Sequence, residues 1–126
     1  MRKYLVVLSV LFFIIVSAAY CRASEPVLSG EVTDGVRIIK VTAMKYKFDP
    51  DPVVVRAGDK VRLSVTSLDV EHGLAIAEFK VNLVIPAGKT ESIEFLADKA
   101  GTFNINCSVY CGPGHSKMQG KLVVLN

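Results

Sequence analysis

Lys60-Val61-Arg62-Leu63-Ser64-Val65-Thr66 alternates polar and apolar side chains along its whole length. Successive side chains of a strand point to opposite faces, so Val61, Leu63 and Val65 share one face and Arg62, Ser64 and Thr66 the other. A period of two sustained this far reads as a strand buried on one side and wet on the other. Ile93 and Phe95 alternate with Ser92 and Glu94 in the same way. Working outward, β-rich runs lie at residues 36–42, 53–55, 60–66, 74–76, 81–85, 90–96, 101–106 and 121–125. Between them stand Asp49-Pro50-Asp51-Pro52, Ala57-Gly58-Asp59, Pro86-Ala87-Gly88 and Lys99-Ala100-Gly101, each with Gly or Pro where the chain must reverse. No stretch offers a long helical face, and there is no internal repeat or low-complexity segment. Short strands at this spacing predict an all-β sandwich or barrel.

The 126 residues leave room for one domain, since single domains commonly run to about 100–150 residues. The chain opens on basic Arg2 and Lys3, then an apolar run over residues 5–16, then the small Ser17, Ala18 and Ala19. That is the pattern of an export signal. Residues 1–23 are therefore expected to be a signal peptide cut after Ala23. The alternative is an uncleaved anchor, although the apolar stretch is shorter than the roughly 20 residues that span a bilayer. Lipid attachment at Cys21 is a third option, disfavoured by bulky Tyr20 and Arg22 beside it. Residues 24–35 are polar, without periodicity, and read as a linker; residues 36–126 are the expected folded domain. Once Arg2, Lys3 and Arg22 are set aside, twelve basic residues face twelve acidic ones. A formally neutral domain without Lys/Arg clusters speaks against nucleic acid, whose phosphates demand them. Only Cys107 and Cys111 remain beyond the leader, too few for a disulfide-built scaffold.

Between the last two predicted strands runs Cys107-Ser108-Val109-Tyr110-Cys111-Gly112-Pro113-Gly114-His115-Ser116-Lys117-Met118. It places two thiols, an imidazole and a thioether in one short loop with no Asp or Glu. Thiolate and thioether sulfur are soft donors that select copper, with imidazole also suitable, whereas carboxylate-rich sites suit calcium or magnesium. Gly112, Pro113 and Gly114 let the backbone turn tightly enough for Cys111 and His115 to converge. The other histidine, His72, is expected in a second loop after Leu68-Asp69-Val70-Glu71. Taken alone, the two cysteines could also form a disulfide, or half of a Cys₂His₂ zinc site. Cys111, His115, Met118 and His72 could likewise make a blue-copper site and leave Cys107 surplus.

These residues resemble the copper-binding domain of cytochrome c oxidase subunit II and the similar domain of nitrous oxide reductase. The pattern C-S-x-x-C-G-x-x-H-x-x-M is matched by Cys107 to Met118, and the preceding D-V-x-H by Asp69-Val70-Glu71-His72. The resemblance implies a cupredoxin-like Greek-key β-sandwich with a binuclear CuA centre of two copper ions. Cys107 and Cys111 would bridge both coppers, His72 and Met118 would complete one, and His115 with the backbone carbonyl of Val109 the other. Many relatives carry Glu where this chain has Val109, but a backbone ligand survives that change. Tyr46 or Phe48 stands where relatives often have an aromatic electron port. The resemblance also implies one-electron transfer from a c-type cytochrome or similar donor to a terminal oxidase or other acceptor. It places the domain in the periplasm or on the outer face of the cytoplasmic membrane. Its usual subunit II has two membrane helices, against one short apolar segment here. Two rival functions follow: electron-accepting subunit of a haem-copper oxidase, docked on its core subunit, or periplasmic copper chaperone. No substrate bond is made or broken in any of these by this chain alone. Nitrous oxide reduction by this chain alone is excluded in practice, because its second cluster needs many histidines and the sequence has two.

Overall fold

The computed structural model describes residues 24–126, so the expectations for residues 1–23 lie outside the described residues. Ten strands follow in order: β1 (Glu31–Thr33), β2 (Val36–Met44), β3 (Lys47–Asp49), β4 (Val53–Arg56), β5 (Lys60–Ser67), β6 (His72–Ile76), β7 (Val81–Ile85), β8 (Thr90–Leu96), β9 (Gly101–Asn106) and β10 (Gln119–Leu125). Single 3₁₀ turns lie at Ala77–Phe79 and His115–Lys117. One sheet runs β1-β2-β5-β8, with β3 also on the outer edge of β2; the other runs β4-β10-β9-β6-β7. The pairs β2–β5 and β4–β10 are parallel and the rest antiparallel. Among the described residues no helix is long and apolar enough to cross a membrane.

The alternation in β5 does what it predicts. Val61, Leu63 and Val65 are fully buried while Arg62, Ser64 and Thr66 stay partly wet. Register then stacks like on like: Leu63 opposes Ile39 on one side and Ile93 on the other. Leu74, Ile76, Ile85, Ile105 and Leu122 bring the facing layer to meet them. Each such side chain contributes about 1.5–3 kcal/mol by leaving water. Phe79 closes one side, with its ring 5.2 Å from Phe95 and 5.0 Å from Phe103.

Three expectations need correction. The folded region starts before Val36, because Glu31–Thr33 pairs with Val36–Ile38 and therefore does not behave as linker. Ser29 reinforces this: its N–H donates to the Val54 carbonyl at 2.7 Å and its Oγ accepts from the Val54 N–H at 2.8 Å. Arg37, buried and paired with Asp59 at 2.6 Å, also reaches the Ser29 carbonyl at 3.2 Å. β3 was hidden because three residues beside two prolines carry too little periodicity to show a strand. His72 is not in a loop; it is the first residue of β6 and opposes Ile85.

Candidate metal centre

The loop joining β9 to β10 begins where β9 leaves the sheet and ends where Met118 returns the chain to β10. The Cys107 N–H donates to the Met118 carbonyl at 3.2 Å, which ties the two ends together. Between them the His115–Lys117 turn is closed by the His115 and Met118 N–H groups, which donate to the Gly112 and His115 carbonyls at 3.0 and 3.1 Å. These short-range bonds fold Cys111, His115 and Met118 back onto one another.

The two sulfurs sit side by side, 3.7 Å apart, buried and not bonded to each other. Around Cys107 Sγ stand the Val109 carbonyl, which accepts from it at 3.1 Å, and His72 Nδ1 at 4.0 Å. Around Cys111 Sγ stand His115 Nδ1 at 3.6 Å and Met118 Sδ at 3.7 Å. The donor atoms of His72, Cys107 and Cys111 all lie within 4.8 Å of one another. All six residues named from the sequence are thus gathered in one place, with His72 arriving from 35 residues before Cys107. His72 and Met118 are fully buried and His115 only partly, so one flank of the cluster is dry and the other faces out. Burial pushes the Cys111 thiol up to about 11, with the hydrogen bond and charge of neighbouring Cys107 acting the same way.

Asp69, named from the sequence only as part of the D-V-x-H pattern, is the residue whose role that reading missed. Its Oδ1 lies 2.6 Å from His72 Nε2 and also accepts the Val70 N–H, while its Oδ2 accepts the Lys45 N–H, both at 2.7 Å. Partial burial opposes the charge. The Lys45 N–H, the His72 ring and the Val70 N–H outweigh it and hold the carboxyl below its ordinary 3.8. An ionised carboxylate only accepts, so Nε2 carries the proton in this contact and Nδ1 is the ring nitrogen left facing the sulfurs. The spacing Asp69 to His72 was a usable signal, since three residues of turn let a side chain reach back.

The two candidate ports part company. Phe48 is 3% exposed and belongs to the core. Tyr46 is half-buried, its ring packed close against the glycines of the loop: a Cβ on Gly114 would come 2.4 Å from Tyr46 Cδ2, and one on Gly112 2.6 Å from its hydroxyl. Gly112 also has φ +136, a conformation side chains resist. Gly73 plays a similar part on β6, where a Cβ would come 2.1 Å from Ser108 Oγ and 2.9 Å from the Val109 nitrogen.

The family profile described as a cupredoxin-like domain matches residues 5–124. The chain belongs to the cupredoxin-like domain family. Within it, the chain is 30% identical to cytochrome c oxidase subunit 2 of Thermus thermophilus over 68% of this chain and 64% of that one. It is 30% identical to nitrous-oxide reductase of Ralstonia nicotianae over 79% of this chain and 16% of that one. This cupredoxin-like chain therefore spans less than two thirds of either relative. Among solved structures, the periplasmic domain of cytochrome oxidase subunit II of Bradyrhizobium japonicum superposes with a TM-score of 0.68. It shares 24% identity, over 76% of this chain and 88% of that one. A chain of a heme-copper terminal oxidase dimer superposes with a TM-score of 0.61 at 26% identity, over 98% and 95% of the two chains. The cupredoxin-like sandwich expected from the sequence is the observed fold, and the chain is homologous to the subunit II domains of oxidases.

Proposed function

We propose that this chain is an exported one-electron carrier whose residues His72, Cys107, Val109, Cys111, His115 and Met118 hold two copper ions. The observation that supports it best is the pair of unbonded sulfurs 3.7 Å apart with two further donors beside each. A blue-copper site needs one sulfur of this pair, and a tetrahedral zinc site leaves Met118 and the Val109 carbonyl unused. Two soft metals bound there would use every donor present. Copper held there supplies reversible one-electron chemistry. The chain's own work is to keep donors in place, keep water out and present a path to the surface. His72 is locked by Asp69, the loop is braced by Tyr46 against Gly112 and Gly114, and β6 packs against Ser108 through Gly73. Little is left free to move when charge changes, which lowers the cost of transfer.

The electron donor in this reading is a c-type cytochrome or similar small redox protein, and the acceptor a haem-copper oxidase core or another terminal acceptor. Kinship with the oxidase subunits supports that pairing, and with it a place in the periplasm or on the outer face of the membrane. Membership of an oxidase as its subunit II is the second reading, favoured by the same kinship. It separates from a free carrier by co-purification with a large membrane subunit. A copper chaperone fits less well, since buried donors release metal slowly.

The decisive experiment loads the protein with copper and counts it. Two coppers per chain and the seven-line mixed-valence resonance pattern implied by the family resemblance are expected. Cys107→Ser retains Cys111, His115, Met118 and His72, enough for one copper, and should give a four-line pattern. One metal per wild-type chain, or no spectral change in Cys107→Ser, rejects the binuclear site.

A further inference from the structure

We propose that Ser67 is a positioning residue of the metal centre, its buried hydroxyl shaping the turn that aims Asp69 at His72. The proposal rests on the copper reading above and deepens it. Apart from the cysteines, the buried polar or charged side chains among the described residues are Arg37, Ser67 and His72. Arg37 is paired with Asp59, and His72 faces the Cys107 sulfur. Ser67 is the one whose burial neither the ion pair nor the donor set explains. It is the last residue of β5, where Val61, Leu63, Val65 and Ser67 follow one another on the inward face. The first three are apolar and fully buried, and the fourth is a hydroxyl only 1% exposed. A polar group at a core position lowers stability unless it is hydrogen-bonded, so this hydroxyl is placed for its bonds.

Those bonds lead to the turn. Ser67 Oγ donates to the Val70 carbonyl and accepts the Asp69 N–H at 3.4 Å. A short hydroxyl side chain reaches backbone groups two and three residues ahead, which is how serine closes a turn. The base of the turn is fixed separately: the Ser67 N–H donates to the Lys89 carbonyl and the Leu68 N–H to the Ala43 carbonyl, both at 3.0 Å. At its tip, Asp69 Oδ1 meets His72 Nε2 at 2.6 Å. Without the hydroxyl, the Val70 carbonyl and the Asp69 N–H both lose their partner, and the carboxylate is no longer held towards the ring. The run Ser67, Asp69, His72, Cys107 thus carries order from the inward face of one sheet to a sulfur donor of the other.

The test reads the His72 ring in metal-free, ¹⁵N-labelled protein under reducing conditions, where nitrogen chemical shifts report which nitrogen holds the proton. Wild type should show one tautomer, protonated on Nε2, and Ser67→Ala a mixture of two. Copper(I) affinity, measured by competition with bicinchoninate, should fall by about tenfold in Ser67→Ala and by less than about threefold in Ser67→Thr, which retains the hydroxyl. Ser67→Val, matched in shape to Ser67→Thr but without the oxygen, should repeat the loss and serves if Ser67→Ala is too unstable to purify. Because Ser67 acts through Asp69, adding Ser67→Ala to Asp69→Ala should change affinity by less than about twofold, whereas independent effects would multiply. A serine that only supports the fold would lower the melting temperature and leave the ring shifts alone, which overturns the proposal. Multiplied effects in the double variant, or a wild-type ring protonated on Nδ1, overturn it as well. A wild-type protein that takes up no copper, with the single tautomer still lost in Ser67→Ala, rejects the copper reading and upholds the link from Ser67 to His72.

Discussion

Asp69 Oδ1 lies 2.6 Å from Nε2 of a histidine, His72, that has no exposed surface. The same carboxylate takes the N–H of Lys45, the residue before Tyr46, so one side chain ties a ring that faces the two sulfurs to the turn that braces the loop. Its position explains why β6 can begin on a polar residue: the one ring nitrogen that faces away from the sulfurs has a partner.

Removing that partner gives the first prediction. Asp69→Ala leaves a buried Nε2–H without an acceptor, at a cost of about 1–3 kcal/mol in stability. It should also weaken copper binding by about 10–100-fold, the usual effect of losing a carboxylate behind a histidine ligand. Asp69→Asn retains an accepting oxygen and should fall between. The Asp69 pKa is lowered in the folded state, so its contribution is present above the ordinary aspartate value and disappears as pH falls through the folded one. Equal copper affinity in Asp69→Ala and the wild type would remove the positioning role.

A second prediction concerns Gly73, which touches no donor atom. A methyl there would meet Ser108 Oγ at 2.1 Å and the Val109 nitrogen at 2.9 Å. Ser108 can swing aside, but the Val109 backbone cannot without moving its carbonyl. Gly73→Ala should therefore change the spectrum of the copper-loaded site and cost about 1–3 kcal/mol in thermal stability. A spectrum identical to wild type would show that the loop is not held through this contact.

The raised Cys111 thiol sets the third. Copper binds thiolate, so loading the metal-free protein at neutral pH should release protons, and apparent affinity should climb with pH towards about 11. The sign for stability is the opposite. A folded-state value above the ordinary 9.0 means that the metal-free fold is favoured below 9.0 and loses that advantage as pH rises through about 11. Copper titrations in weakly and strongly buffered solution count the protons; none released would mean that the thiols ionise before metal arrives.

Formal neutrality beyond residue 23 gives the fourth. Encounters steered by charge slow steeply with salt, because screening shortens the reach of each patch. Electron transfer from cytochrome c should change by less than about tenfold between roughly 50 and 200 mM salt. A steeper fall, measured by stopped flow, would reveal clustered charge at the docking face.

Much of this protein was legible before folding. The period of two in residues 60–66 and its neighbours marks strands because pleating is local, and the Gly and Pro clusters mark where they end. The soft donors of the loop declare their chemistry by type and spacing, since one short turn must bring them together. Other features depend on residues far apart in the chain. Only the packed sandwich sets His72 beside Cys107 across 35 residues, buries Phe48 while leaving Tyr46 on Gly112 and Gly114, and draws Glu31–Thr33 onto β2. The same packing leaves Tyr110 outside over His115 and turns Asp69 inward to His72. A side chain's type and spacing are written along the chain, but what it touches depends on how the two sheets and their connecting loops meet, and no local pattern carries that distance.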